Sequence, residues 1–202
     1  DNDGYLDFYV GTGSPDYTAV VPNRMFRNVG GRKFEEVTAA GGFGHIQKGH
    51  GIGFADIDND GDQDVYAVMG GAFEGDVFTN VLFENTYFEH NWLVLHLTGT
   101  KSNTSAIGAR VEFFLNNGKK LFRTIGTGSS FGSNSIDLEI GIGDASAIDR
   151  IIIKWPSGEI NTLDNVPINK KLELIEGEGK YTEIEYEYTP FSEEQHGEHH
   201  HH

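Results

Sequence analysis

The sequence predicts an all-β protein of the kind that builds sandwiches, barrels or propellers, and three observations predict it. The 202 residues include 27 Gly and only 5 Pro, with short apolar runs between them, which reads as many turns joining short strands. An internal repeat with a 57-residue offset occupies the first part of the chain. The second part shows short strand patterns at regular spacing, punctuated by Gly and Asn.

Hydrophobic residues at 37% and aromatics at 12% place the chain among globular proteins. A formal charge of -16 argues against nucleic acid as a partner, because phosphates would be repelled, and it suits a binder of cations. With no Cys, disulfides and thiol chemistry are excluded and the redox compartment stays open. No apolar run approaches the roughly 18–20 residues that cross a bilayer, and the first residues do not read as a secretory leader. The closing Glu198-His199-His200-His201-His202 reads as the start of an affinity tag.

In the repeat, residues 1–10 read DNDGYLDFYV and residues 58–67 read DNDGDQDVYA. At the same offset Gly13 falls on Gly70, Val20 on Val77, Asn23 on Asn80, Phe26 on Phe83 and Asn28 on Asn85. Matches across so many residue types mark two copies of one unit. Asp56, which opens the second motif, has no counterpart in the first, so the parent protein is expected to be longer.

The second copy contains Asp56-Ile57-Asp58-Asn59-Asp60-Gly61-Asp62-Gln63-Asp64. Carboxylates at positions 1, 3 and 5 of such a loop converge as the backbone curls. Gly at position 6 permits the sharp turn, position 7 offers its carbonyl, and position 9 returns a carboxylate. An all-oxygen set of this kind suits Ca²⁺ better than Mg²⁺, which prefers a tighter octahedron with several waters. The predicted ligands are Asp56, Asp58, Asp60 and Asp64, with the carbonyl of Asp62. An EF-hand would need Glu at position 12, where Ala67 stands, and helical flanks, whereas residues 51–55 and 65–69 read as strands. In the first copy the matching ligands are Asp1, Asp3 and Asp7, with the carbonyl of Tyr5. Lacking a position-1 Asp, that loop is expected to bind weakly or not at all.

This motif, preceded by GIGFAD and followed by N-x-x-F-x-N, resembles the FG-GAP (integrin-α-like, VCBS) repeat over roughly residues 1–88. The resemblance implies blades of a β-propeller with Ca²⁺ held between two strands of a blade. Fewer than two repeats cannot close a ring of four to eight blades. Exposed edges are therefore expected to be covered by further blades or another chain.

From Asn91 the repeat stops. Strands are predicted at Trp92–Leu97, Gly108–Leu115, Lys120–Ile125, Ser135–Ile140, Arg150–Trp155, Glu159–Leu163 and Lys171–Glu176, with a hairpin turn at Asn116-Asn117-Gly118. IGARVEF, GTGSSFGSNS, LEIGIG, IDRIIIKWPSGEINTLDNV and LELIEG, in that order, resemble the ASPIC/UnbV domain over roughly residues 91–177. Tyr181–Tyr188 alternates Glu with Thr, Ile and Tyr and reads as an extra edge strand. The predicted organisation is propeller-type blades over 1–90, an antiparallel β-sandwich or partly open barrel over 91–178, and an edge strand with tail over 179–202.

Enzyme signals are weak. Gly128-Ser129-Ser130-Phe131-Gly132 fits GxSxG, but a strand pattern follows it where a nucleophile elbow needs a helix. Gly11-Thr12-Gly13 does not complete a phosphate loop. His45, His50 and His96 are scattered, and Glu35-Glu36, Asp137 and Glu139 read as solvated faces. Asn103-Thr104-Ser105 fits the glycosylation acceptor pattern. Trp155-Pro156-Ser157-Gly158 reads as a strand end and turn, with Trp155 lining a sugar- or peptide-binding groove as the alternative. The expected function is a calcium-binding interaction, adhesion or scaffolding module, secreted, cell-surface or periplasmic, not an enzyme, with a protein or glycan partner. Alternatives are the non-catalytic C-terminal part of a larger secreted enzyme and a carbohydrate-binding module.

Overall fold

The computed structural model describes residues 1–191 except 15, 17, 72, 87–89, 129, 130 and 132. The tag-like tail, and Ser129, Ser130 and Gly132 of the GxSxG stretch, therefore lie outside the described residues. The described chain is all β, with fourteen strands in four sheets and no helix.

Two small antiparallel sheets come first. One contains β1 (Phe8–Val10), β2 (Arg24–Val29) and β3 (Lys33–Glu36), in that order. The other contains β4 (Ile52–Ala55), β5 (Asp64–Ala67) and β6 (Val81–Phe83). Phe8 pairs with Phe26 as Val65 pairs with Phe83, so the register repeats at the 57-residue offset. The hydrogen bonds repeat too. Asp7 Oδ1 accepts the Asn28 N–H as Asp64 Oδ1 accepts the Asn85 N–H. Likewise Asn23 Oδ1 accepts the Thr12 N–H as Asn80 Oδ1 accepts that of Met69.

The two sheets share one core of Tyr9, Met25, Ile52, Val65, Ala67 and Met69, with Phe43 and Phe83 against it. They stack head to tail. The first sheet turns its Tyr9 and Met25 side inward and leaves Phe8 and Phe34 exposed, while the second buries Val65, the counterpart of Phe8, and exposes Tyr66, the counterpart of Tyr9. Phe8 lies against Phe26 and Phe34 at ring distances of 4.7 and 4.9 Å on the uncovered face.

The rest is a two-layer sandwich. One layer has the order β10 (Leu138–Gly143), β7 (Asn91–Thr98), β13 (Lys171–Ile175), β14 (Thr182–Ile184), with β13 parallel to β7. The other has the order β12 (Ile160–Val166), β11 (Ile148–Lys154), β8 (Arg110–Leu115), β9 (Lys120–Thr124), all antiparallel. Leu93, Leu95, Ile140 and Leu172 from one layer meet Phe113, Ile151 and Ile153 from the other in a core that excludes water. The hairpin between β8 and β9 turns at Gly118, whose φ of 82° suits a residue without Cβ. The edge strand at the end is shorter than the alternating pattern suggested and stops at Ile184.

The sandwich sits directly on the small sheets. Asn2 O accepts the Gly143 N–H at 2.9 Å, and a Cβ on Gly141 would lie 2.4 Å from Asn2 Cα. Asn134 Oδ1 accepts the Phe54 N–H at 3.1 Å. Between the three bodies lies a cavity of about 600 Å³, lined by Tyr9, Ile52, Leu93, Arg123, Glu139 and Ile140 among others.

Candidate metal centre

The Asp-rich loop connects β4 to β5, two antiparallel neighbours that pair from Ile52↔Ala67 to Ala55↔Asp64. Its flanks are thus strands, and its curl is built locally. Asp58 Oδ1 accepts the Asp60 N–H at 3.3 Å, and Asp60 Oδ1 accepts the Asp62 N–H at 2.9 Å, each side chain closing a turn two residues on. Asn59 and Gly61 take positive φ, at 63° and 97°. Gly61 is required twice over, because a Cβ there would meet Trp92 Nε1 at 1.9 Å.

Asp56, Asp58 and Asp60 each offer a carboxylate oxygen within 4.8 Å of the others, the one such group among the described residues. Asp56, Asp58, Asp62 and Asp64 are buried, and Asp60 is exposed. Asp56 accepts N–H groups from Asp60 at 3.0 Å and Gly61 at 2.8 Å. Asp64 accepts those of Ile57 at 3.1 Å and Asn85 at 2.9 Å. Asp62 Oδ1 is buried with no hydrogen-bond partner. Burial first, and then the charges of Asp60, Asp64, Asp56 and Asp58, push the Asp62 carboxyl up to about 8. Burial pushes Asp56 up to about 6, against hydrogen bonds from Tyr186 and Gly61, and burial raises Asp58 and Asp64 as well. The loop therefore gathers more negative charge than its own donors neutralise. Its oxygen-only donors fit a hard divalent cation.

The first loop repeats the turns but not the convergence. Asp1 Oδ1 accepts the Asp3 N–H at 3.2 Å and Asp3 Oδ1 accepts that of Tyr5 at 2.8 Å, yet Asp1, Asp3 and Asp7 form no such group among the described residues. Two cations of the sandwich approach it instead. Lys119 donates to Asp3 O and lies 4.1 Å from the Tyr5 ring centre, and Arg123 donates to Gly4 O at 3.0 Å.

Three residues beside the second loop reach it from distant parts of the sequence. Glu139, expected on a solvated face, is half-buried against the loop, where its Oε2 accepts the Asp56 N–H at 3.2 Å and the Gln63 Nε2–H at 2.6 Å. Tyr186 donates its hydroxyl to Asp56 Oδ2 at 3.0 Å, and burial followed by the Asp56 charge raises the pKa of that hydroxyl and keeps it protonated. Asn2 donates to Gly61 O at 2.9 Å. Sequence separations of 83, 130 and 59 residues carry no local signal.

Other candidates resolve differently. Asp137 is also no free surface carboxylate, since it holds His96 Nδ1 at 2.6 Å and Lys171 Nζ at 2.7 Å. His50 Nε2 lies 2.6 Å from Gly70 O. Trp155 is 4% exposed and donates Nε1–H to Asn161 Oδ1 at 2.6 Å, so it is part of the core and no glycan groove is built on it. The side-chain amide of Asn103 donates to Ile107 O and accepts the Ile107 N–H, both at 2.8 Å, holding a local loop.

With this geometry in view, residues 1–67 match the FG-GAP-like repeat family and residues 99–181 match ASPIC and UnbV. The structure carries both units beyond these bounds: β6 completes the second small sheet, and β7 lies inside the sandwich layer. No curated protein matches the chain.

Proposed function

From a chain that joins an FG-GAP-like repeat to an ASPIC and UnbV domain, we propose a calcium-stabilised extracellular interaction module with a protein or glycan partner. The supporting observation is the buried, unpartnered Asp62 Oδ1 within a loop of five carboxylates. Uncompensated charge of this kind is costly in a folded protein, and a hard divalent ion offsets it. Asp56, Asp58 and Asp60 would hold the ion, with Asp62 and Asp64 completing an oxygen-only set that suits Ca²⁺. Extracellular calcium modules fill on the order of 10⁻⁴–10⁻³ M, which favours a setting outside the cytosol. The ion's role in this reading is structural. The head-to-tail stacking supports a propeller-type arrangement, in which a further unit of the same kind covers the Phe8 and Phe34 face.

Thermal unfolding tests the metal reading. Chelation by EDTA should lower Tm, and Ca²⁺ should restore it better than Mg²⁺. Saturation at about 100 times Kd adds about 2.7 kcal/mol, or roughly 5–10 °C for a chain of this size. Asp58→Ala and Asp60→Ala should each lose the response. A Tm indifferent to EDTA and to millimolar calcium sinks the proposal.

A further inference from the structure

We infer that residues 186–189 form a strap over the Asp loop, and that strap docking and cation binding strengthen each other. The inference rests on the metal reading above. The chain leaves the sandwich edge at Ile184 and crosses to the loop. There Tyr186 donates its hydroxyl to Asp56 Oδ2 at 3.0 Å, Asn59 Nδ2 donates to Glu187 O at 3.0 Å, and the Thr189 N–H donates to Asp58 O at 2.7 Å. The Tyr186 ring is fixed between Trp92, 5.7 Å away between ring centres, and Lys171 Nζ, 5.0 Å from its centre.

These contacts use atoms a cation does not need. Thr189 takes the main-chain carbonyl of Asp58, leaving its carboxylate to the site. The second contact takes the side-chain amide of Asn59, which is not a predicted ligand. Tyr186 and the Gly61 N–H share Asp56 Oδ2, while Oδ1, which accepts the Asp60 N–H, keeps a lone pair for the ion. Meanwhile the strap is bonded to Asn59, which takes the left-handed region at φ 63°, where the loop curls so that Asp58 and Asp60 converge. A loop already held in that shape loses less entropy when an ion binds. Reciprocity then requires the ion to hold the strap by the same factor.

The test uses the full chain, as wild type, as Tyr186→Phe, which removes the hydroxyl donor to Asp56, and as Thr189→Pro, which removes the N–H donor to Asp58 O together with the Thr189 hydroxyl. Terbium luminescence sensitised by Trp92, competed by calcium, reads cation affinity. Chymotryptic cleavage of the wild type after residues 186 and 188, followed by mass spectrometry well below Tm, reads strap docking with calcium and with EDTA. We expect each variant to weaken calcium binding roughly three- to tenfold, the worth of one hydrogen bond. Calcium should slow cleavage at the strap of the wild type by about the same factor. If the ion binds but affinity and cleavage are unchanged, the coupling is overturned and the metal reading stands. Tighter binding by Tyr186→Phe would mean that strap and ion compete, which also overturns it. A wild type that answers to neither terbium nor calcium removes both readings together.

Discussion

Glu176, just past the end of β13, is a buried carboxylate surrounded by donors. It accepts the N–H groups of Thr100 at 2.8 Å and of Lys101 and Ser102 at 2.7 Å, together with the hydroxyls of Ser102 and Ser157. Burial alone would push its carboxyl up, but the hydrogen bonds from Ser102, Ser157 and Thr100 outweigh it and hold the group at about 2. Because that lies below the ordinary 4.5, the stabilisation is complete above pH 4.5 and disappears as pH falls through 2. Glu176→Gln should therefore lower Tm at pH 7, with the gap from wild type closing as melts are taken down towards pH 2. A gap that is constant with pH would show that packing, not charge, is at work. Nothing in the LELIEG run announces this role, since the donors of Thr100, Lys101 and Ser102 lie 74–76 residues away. Trp155, by contrast, was legible, because Pro and Gly right after an apolar strand signal a turn and leave the ring to the core.

At the scale of the element, the Asp loop was legible because everything that shapes it is local. The Asx turns, Gly61 and the strand flanks all fall within residues 51–69. Its environment was not, because Glu139, Asn2 and Tyr186 arrive from other elements. Tyr186 lies outside the strand that its alternation with Glu predicts, because the ladder ends at Lys171↔Ile184 and the chain departs towards Asp56. The loop's electrostatics give a prediction with a definite sign. The folded, cation-free loop keeps protons that the unfolded chain sheds near 3.8, up to about 6 at Asp56 and about 8 at Asp62. Between those limits the native state binds more protons, so stability in EDTA should fall as pH rises from 4 to 8. Calcium should flatten that slope and displace protons on binding. Melts in EDTA and in calcium across this range check the first point, and calorimetry in two buffers of different ionisation heat checks the second. A slope in EDTA that is flat or of opposite sign contradicts the description of the loop.

For the molecule as a whole, the order of the two units was readable from their motifs, and their mutual seating was not. That seating depends on the Asn2 backbone lying against Gly141, and on Lys119 and Arg123 reaching carbonyls of the first loop. With contacts this close, the two units should unfold in a single calorimetric transition. Gly141→Ala, whose Cβ would intrude on Asn2, should cost about 1–3 kcal/mol and split or broaden that transition. Two separate transitions in the wild type would show that the seating carries no cooperativity. The head-to-tail stacking of the two small sheets has a last consequence. A surface that presents Phe8 and Phe34 at one end and Tyr66 and Leu82 at the other does not match itself across a twofold axis. Crowded together in solution, such molecules would line up nose to tail into growing strings, and Asp or Lys at position 34 would be the simplest way to keep them apart.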